Sequence, residues 1–207
     1  YRVGCYTSPH LVRYNERVRI DGREVEDDVF CRAFAAIEAA RGATSLTYFE
    51  FGTLAAFWIF QEEKVEVAVL EVGLGGRFDS TNVCRPLVSV ITNVGPVHIE
   101  AFADGEAGVA REKASIFEGL ASGGLAVVNG DIRWVDTLKA AATAAVPKDI
   151  DVPVILAALP VLAAAVGVAA LLVHRSGASA VPGVPTGRPD FPSPPAAAVV
   201  YSRELGA

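Results

Sequence analysis

The stretch that most constrains the fold runs from Val67 to Asn82 and reads VAVLEVGLGGRFDSTN. Its first residues are almost continuously apolar and rich in valine, a pattern typical of a strand that is buried on both faces within a parallel sheet. Such sheets bind their ligands just beyond the carboxyl ends of the strands. We therefore expect Glu71 and the glycine-rich turn after it to lie where binding or chemistry takes place. The alternative is that Glu71 is a structural acid that caps a tight turn.

The glycines of this turn do not match the known phosphate-binding motifs. A dinucleotide fingerprint needs a third glycine where this chain has Phe78, and a P-loop needs Gly-Lys-Ser/Thr at the end of the turn. Gly73, Gly75 and Gly76 are therefore expected to provide unusual backbone angles and a close approach to a group that the sequence leaves open. By themselves they do not identify a nucleotide.

Composition narrows the class of protein. The net charge is −6. The composition therefore gives no sign of a basic face that would bind nucleic acid or anionic lipid, and we expect no nucleic-acid partner. Cys5, Cys31 and Cys84 have no CxxC spacing, which favours free thiols in a reducing cytosol over disulfides or a zinc site. No secretory signal is visible at the start, so we expect a cytoplasmic location. The chain has no methionine and opens at Tyr1, and we expect it to be a fragment whose amino-terminal part is missing.

Helix and strand patterns alternate through residue 145. Strand patterns cover the apolar run before Glu71 and the ranges 86–93 and 125–129. Helical patterns cover 24–41, 47–63, 105–120 and 132–145, and the second of these is apolar nearly all round. This alternation predicts an α/β domain of three layers with a mostly parallel sheet.

Three polar residues within these elements need separate explanations. Glu50 is an acid inside an apolar helical run, so it requires a partner or a function. His98 follows the second buried strand, where it is either a hydrogen-bonded loop residue or a functional group at the same edge as Glu71. Lys113 lies in the run Arg-Glu-Lys, which is expected to form a solvated helix face.

The opening segment combines a polar loop, Thr7 to His10, with a cluster of charged residues before an Asp-Gly turn. Alternating charges are typical of a solvated edge strand. Arg13 and Asn15 also offer donors that suit a carboxylate or the edge of a pterin-like ring. Both interpretations stay open at this point.

From about residue 147 the character of the chain changes. Val152 to Val173 contains no charged residue over 22 positions, which is long enough for a transmembrane helix, although Pro153 and Pro160 interrupt it. Three interpretations of this segment stay open. It forms a buried helix, it is the product of a non-native reading frame in GC-rich DNA, or it is a membrane anchor, which is the less favoured of the three. We therefore expect one domain over 1–146, and an undetermined apolar helix with an atypical Ala/Pro/Gly-rich tail over 147–207.

Four segments together resemble one family. In order over about residues 1 to 120 they read YTSPHLVRYNERVRIDG, LTYFEFGTLAAFWIF, LEVGLGGRFDSTNV and ITNVG…H…AREKASIF. They are similar to the folylpolyglutamate and dihydrofolate synthases of the Mur ligase superfamily. The resemblance implies a partial Mur-ligase-type central domain and an ATP-dependent amide ligase. Such an enzyme phosphorylates the carboxylate of folate or dihydropteroate to an acyl phosphate, which the amine of L-glutamate then attacks. The implied cofactors are ATP and Mg²⁺, with Mn²⁺ also tolerated.

The resemblance also implies roles for individual residues. Glu71, His98 and Lys113 match the family's metal-binding residues. Lys113 matches the lysine that the family carbamylates. By this resemblance, Lys113 and His98 are the candidate catalytic residues. Asn82 lies in the loop near the metal and the substrates and is the candidate cofactor-binding residue. The candidate substrate-binding residues are Thr7, Ser8, Pro9, His10, Arg13 and Asn15.

Two features depart from this family. The sequence contains no P-loop of the form GTNGKGS before TSPHL and no recognisable carboxy-terminal domain, so we expect this chain to be inactive alone. In addition, TNVGPVHIEAF followed by VAREKASIFEGL is closer to the peptidoglycan ligase that adds D-alanyl-D-alanine to a UDP-muramoyl tripeptide. The alternatives are therefore a Mur-type cell-wall peptide ligase, and an inactive remnant or membrane-tethered interaction protein.

Overall fold

The computed structural model describes residues 1–121, 123–145, 154–157 and 197–202. Among these, one compact unit holds residues 1–69 and a second begins at Leu70. We call them unit 1 and unit 2 and describe each separately. Strand β4 (Val67–Glu71) begins in unit 1 and ends in unit 2.

Unit 1 combines a small antiparallel sheet with two helices. Its elements are β1 (Val3–Tyr6), β2 (Val18–Ile20), β3 (Arg23–Glu24), α1 (Asp27–Arg41) and α2 (Tyr48–Glu62). The strands pair in the order β3-β2-β1, with Gly4 opposite Ile20. The predicted turn is confirmed: Asp21 and Gly22 join β2 to β3 with positive φ angles of 50° and 79°. Helices α1 and α2 pack against each other.

Helix α1 follows from its sequence pattern. Phe30, Ala33 and Ile37 are buried and share one face at helical spacing. Two acids lie in the first turn and Arg41 lies in the last, so their charges complement the helix dipole. Gly42 ends the helix with a positive φ, which glycine adopts readily. The helix begins three residues later than predicted, because Arg23–Glu24 form β3 instead.

Helix α2 corrects one expectation and explains Glu50. A helical pattern that is apolar nearly all round predicts a buried helix, but the buried residues lie on one face, and Tyr48 is 64% exposed. Thr47 caps its start: the Thr47 Oγ1 accepts from the backbone N–H of Glu50 at 3.2 Å, and the Glu50 carboxylate accepts from the N–H of Thr47 at 2.7 Å. This capping box gives the acid a structural role at the start of the helix.

Unit 2 is built on a parallel sheet. After β4 come β5 (Val88–Ile91), α3 (Glu106–Ala114), β6 (Leu125–Asn129), α4 (Val135–Ala145), β7 (Val154–Ala157) and β8 (Ala197–Ser202). Strands β8, β5, β6 and β7 pair in that order and are all parallel. All residues of β4 and β5 are buried, as continuous apolar strands in parallel sheets are. The predicted α/β class with a mostly parallel sheet is confirmed in this unit.

The structure also corrects the expectation for the apolar run after residue 152. Val154–Ala157 form strand β7, which pairs with β6, so a helix is wrong for these four residues. The rest of the run lies outside the described residues. Within the described part of the chain, no helix is long and apolar enough to cross a membrane.

Candidate functional site

The carboxyl end of β4 carries Glu71, the last of five consecutive buried residues. Its side chain is only 2% exposed. Burial of a carboxylate is costly unless charge or hydrogen bonds compensate it. Glu71 therefore lies where the sequence predicts it, at the carboxyl end of a buried strand and directly before the glycine-rich loop.

Asp79 closes the loop that follows Glu71. One carboxylate oxygen accepts hydrogen bonds from the backbone N–H groups of Gly73 and Leu74, both at 2.9 Å. The other accepts from the N–H and the hydroxyl of Thr81, at 2.9 and 2.6 Å. Sequence reasoning gave Asp79 no role. The signal was an acid six residues after Gly73, at a distance that lets it bind the turn's own backbone.

The same loop packs directly on helix α3. A Cβ atom on Gly76 would lie 2.5 Å from the carbonyl oxygen of Glu112 and 2.6 Å from the Ser115 Oγ. Gly75 has a φ of +69°, which favours glycine. The backbone N–H of Arg77 donates to the Glu112 Oε1 at 3.1 Å, and its guanidinium donates to Glu118 at 2.6 Å. The predicted close approach is thus confirmed for Gly75 and Gly76, and its partner is the helix that carries Lys113.

Lys113 is buried, with 7% exposure, so the expected solvated face is wrong for this residue. It shares a face of α3 with Val109 and Ala110, which precede it by four and three residues and are also buried. Arg111, by contrast, is exposed and pairs with Asp104. Lysines are rarely buried to this extent unless they are paired.

His98 lies in a strained turn whose short 3₁₀ segment, Ile99–Ala101, contacts α3. Its backbone is left-handed, with φ 58° and ψ 26°. Its side chain is 56% exposed, and its Nδ1 is 3.9 Å from the Glu100 carboxylate. The loop after Glu71 and the turn after His98 therefore both lie against α3. In the described ranges, however, no group of three or more His, Cys, Asp or Glu residues is arranged to hold a metal ion.

Asn82 lies in a 3₁₀ turn, Ser80–Val83, just after the loop. Its side-chain oxygen is buried and accepts no hydrogen bond from the described part of the protein. It lies 3.7 Å from the position that a Cβ on Gly119 would occupy. An acceptor in this state requires a donor such as a water molecule or a ligand group.

In unit 1, the loop that contains Thr7, Ser8, Pro9 and His10 is tied to the segment after it. The Thr7 N–H donates to the Arg17 carbonyl at 2.9 Å, and the Arg17 Nε donates to the His10 Nδ1 at 2.8 Å. The Glu16 carboxylate accepts from the N–H groups of Leu11, Val12 and Arg13 at 2.8, 2.7 and 2.6 Å. Bonds from the amides of Leu11, then Arg13 and Val12, lower the pKa of Glu16 to about 2.

Arg13 and Asn15 are both held by the first residue of α1. Arg13 pairs with the Asp27 carboxylate at 3.0 Å. The Asn15 amide donates to the same carboxylate at 2.9 Å and to the Val25 carbonyl at 2.8 Å, and Asn15 is buried. In this arrangement both side chains fix the opening segment onto the start of α1.

An aromatic groove of about 360 Å³ opens beside this segment. It is lined by Tyr14, Phe34, Leu46, Thr47, Tyr48 and Phe51. The buried Arg17 guanidinium lies 5.4 Å from the Tyr14 ring centre and 5.5 Å from the Tyr48 ring centre, a cation–π arrangement. Burial, together with Tyr6 and Tyr48, raises the pKa of Tyr14 to about 12. The apolar helical patterns predict that Phe34, Tyr48 and Phe51 belong to the core, and the groove that they form with Tyr14 is a feature that the sequence did not indicate.

Comparison with known proteins agrees with this geometry. The family model for the Mur ligase middle domain matches residues 31–153. The dihydrofolate synthase/folylpolyglutamate synthase of Escherichia coli K12 is 50% identical over 117 residues, which cover 56% of this chain and 28% of that relative. The folylpolyglutamate synthase of Lacticaseibacillus casei is 39% identical over 137 residues, which cover 63% of this chain and 31% of that relative.

Solved structures give the same result. The bifunctional folylpolyglutamate synthase/dihydrofolate synthase of Yersinia pestis, complexed with AMPPNP and a Mn ion, superimposes with a TM-score of 0.64 and 41% identity over 75% of this chain and 36% of that one. The folylpolyglutamate synthase of Thermotoga maritima superimposes with a TM-score of 0.61 and 30% identity over 74% of this chain and 35% of that one. The chain spans between 28% and 36% of the length of these relatives. Because the family model matches more than half of its residues, the chain belongs to the Mur ligase family through its middle domain.

Proposed function

We propose that this chain forms the central part of an ATP-dependent ligase that joins L-glutamate to folate or dihydropteroate through an acyl phosphate. The observation that carries the proposal is the buried Glu71 at the end of β4, followed by a glycine-rich loop that packs on the helix of the buried Lys113. The relatives described above are named as folylpolyglutamate or dihydrofolate synthases, which favours this reaction over the cell-wall peptide ligase.

The donor set suits a hard divalent cation. Mg²⁺ commonly binds one or two protein carboxylates and completes its shell with water and substrate phosphates, so a single buried carboxylate such as Glu71 is sufficient on the protein side. A carbamate on Lys113 would add a second oxygen donor, and the His98 imidazole accommodates Mn²⁺. The Yersinia pestis relative solved with AMPPNP and a Mn ion supports a metal and ATP at such a site. We assign Glu71, His98 and Lys113 as metal ligands, and Asn82 as the residue beside the nucleotide.

When bound, the metal neutralises phosphate charge and so favours phosphoryl transfer. The chain's own residues hold the reactants. In the proposal, the loop from Thr7 to His10, which Glu16 and Arg17 fix, orients the folate-type substrate. The flat pterin ring of that substrate suits the aromatic groove between Tyr14 and Tyr48. Arg13 and Asn15 keep the loop on α1, so that the substrate carboxylate is presented in one orientation.

The proposal assigns the reaction to residues 1–146 and leaves the role of 147–207 undetermined. Strand β7 nevertheless extends the parallel sheet to Ala157. We also propose a cytoplasmic location, which the lack of CxxC spacing among Cys5, Cys31 and Cys84 in the sequence favours.

A chimera tests the activity of these residues directly. The matching 117-residue segment of the Escherichia coli enzyme is replaced by that of this chain. We expect glutamate-dependent ADP release with dihydropteroate or folate, and none with a UDP-muramoyl tripeptide and D-alanyl-D-alanine. Glu71→Gln should lower the rate by about 100-fold, as loss of a metal-site residue does. The proposal would be contradicted by a chimera that is folded, as circular dichroism shows, but releases no ADP with folate or dihydropteroate.

Lys113 has its own test in the same chimera. Lys113→Ala should lower the rate by about 100-fold, because it removes the residue that becomes the carbamate. Acetate or formate should restore part of the rate by placing a carboxylate in the vacated space, whereas acetamide, which is neutral, should not. Full activity of Lys113→Ala in bicarbonate-free buffer would show that Lys113 is not part of the metal site.

A further inference from the structure

Glu112 stands directly before Lys113, and its contacts reach the loop that follows Glu71. Its Oε1 accepts a hydrogen bond from the backbone N–H of Arg77 at 3.1 Å. A Cβ on Gly75 would lie 3.1 Å from the Glu112 Cγ and 3.2 Å from its Oε1. The carboxylate therefore lies against the loop at Gly75 and at Arg77, two residues further on, and a side chain at Gly75 would displace it.

From these contacts we propose that Glu112 is a positioning residue of the metal site. Its carboxylate fixes the segment Gly73–Arg77 on α3, and so sets where Glu71, two residues before Gly73, lies relative to Lys113. The inference rests on the proposed function, which places Glu71 and Lys113 at one metal ion. Glu112 itself needs no contact with the metal or with a substrate.

Glu118 provides the natural comparison, because it binds the same residue in a different way. Its carboxylate pairs with the Arg77 guanidinium, and both side chains are 54% exposed. Exposed ion pairs of this kind contribute little, because solvent screens them and two long side chains must be ordered. Glu112 instead holds a backbone N–H, so its bond restrains the path of the loop itself. Glu112 thus restrains the backbone of Arg77, whereas Glu118 restrains only its side chain.

Asp79 and Glu112 have complementary roles in this loop. Asp79 binds Gly73 and Leu74 and so closes the loop on itself. These bonds join residues of the same loop, so they do not fix the position of the loop along α3. The bond between Arg77 and Glu112 supplies this second restraint, within one residue of Lys113.

Amide hydrogen exchange of the 207-residue chain, followed by NMR, tests the restraint without any ligand. Exchange at the Arg77 amide reports local opening of the loop. In Glu112→Ala it should become about tenfold faster, because a hydrogen bond to a charged acceptor is lost. Glu112→Gln keeps an oxygen acceptor and should remain within about threefold of the unsubstituted chain, as should Glu118→Ala. Unchanged exchange in Glu112→Ala would overturn the proposal. If that variant fails to fold, Glu112→Asp, which keeps the charge but shortens the reach, should show the faster exchange, and an unchanged rate there would overturn it equally.

Binding of Mn²⁺ to the same chain, measured by electron paramagnetic resonance, tests the consequence for the metal site. Glu112→Ala should weaken binding by about tenfold, the scale of losses from groups that orient ligands, and Glu112→Gln should restore it. Glu118→Ala should bind as the unsubstituted chain does. A lower melting temperature in Glu112→Ala with unchanged Mn²⁺ affinity would reduce Glu112 to a structural residue and overturn the proposal. Failure of the unsubstituted chain to bind Mn²⁺ would instead contradict the proposed metal site, and amide exchange would still decide whether Glu112 restrains the loop.

Discussion

Lys113 shows how a residue's environment can be read from helical spacing. In the sequence, Arg111, Glu112 and Lys113 form a charged run, and a solvated face was the natural expectation. Lys113 nevertheless follows the buried Val109 by four residues, and positions so spaced share one face of a helix. The helical spacing therefore indicates that Lys113 is buried, whereas the charged composition of the run suggests that it is exposed. The contacts of Glu112 with Gly75 and Arg77, by contrast, join residues 35 or more positions apart, and no local pattern predicts them.

Gly76→Ala tests the packing of the loop on α3. The added methyl group would lie 2.5 Å from a backbone oxygen of Glu112, which cannot move aside as a flexible side chain could. We expect a loss of about 1–3 kcal/mol in the free energy of unfolding, the usual range for overpacking. Urea unfolding followed by circular dichroism measures it. Gly119→Ala is the matched control, since its Cβ would find its nearest neighbour at an ordinary 3.5 Å. Equal stabilities of the two variants would contradict the close approach.

The Glu16 carboxylate predicts a pH dependence for the loop of unit 1. Hydrogen bonds from three backbone amides lower its pKa from 4.5 to about 2. Since the pKa of the folded state is the lower one, the ordering of residues 11–13 by Glu16 should be complete above pH 4.5 and be lost as the pH falls toward 2. The NMR shifts of the Leu11, Val12 and Arg13 amides should follow this titration. Glu16→Gln should abolish it, and a midpoint near 4.5 in the unsubstituted chain would show that the carboxylate is not bound as described.

At the scale of elements, local sequence patterns predicted whether a helix or a strand forms better than they predicted the residues at which it begins and ends. Strand β6 has the predicted bounds, Leu125–Asn129, because its apolar run ends at turn residues on both sides. Helix α3 stops at Ala114 and continues as a 3₁₀ turn, so the predicted helix over 105–120 was too long. The apolar run after Val152 gave no sign of β7, since uninterrupted apolar residues suit a buried helix and a buried parallel strand equally. Only pairing with β6, a contact distant in sequence, distinguishes them.

Thr47→Ala tests the start of α2. The threonine hydroxyl is replaced by a hydrogen, so the Glu50 N–H loses its capping acceptor. We expect a loss of about 1 kcal/mol in the free energy of unfolding, the typical value for a capping residue. Thermal or urea unfolding of the chain measures this change. Thr47→Ser keeps the hydroxyl and should retain the stability, and equal losses in both variants would show that the methyl group of Thr47, not its hydroxyl, matters.

At the scale of the whole molecule, the sequence predicted the family. Two long motifs in register, around TSPHL and EVGLGGRFD, are specific enough to indicate a folate-type ligase, and the match over residues 31–153 confirms the family. The two compact units divide at Leu70, inside β4, and the division near residue 147 stays a prediction. A buried apolar strand carries no compositional mark of such a boundary, because compactness depends on contacts between distant residues and not on local polarity.

The last prediction concerns ATP turnover by the whole chain. The 207-residue sequence contains no P-loop motif, because none of its lysines follows a glycine. In P-loop NTPases, the backbone N–H groups and the lysine of that loop hold the phosphates of the nucleotide. We therefore expect the purified 207-residue chain to release no ADP in the presence of ATP, Mg²⁺, folate and glutamate, in a coupled assay that detects the active chimera. If the chain alone released ADP in a way that required both folate and glutamate, the phosphates would have to be held by other backbone amides. Those of the loop from Gly73 to Arg77 would be the first to examine, since they lie directly after Glu71.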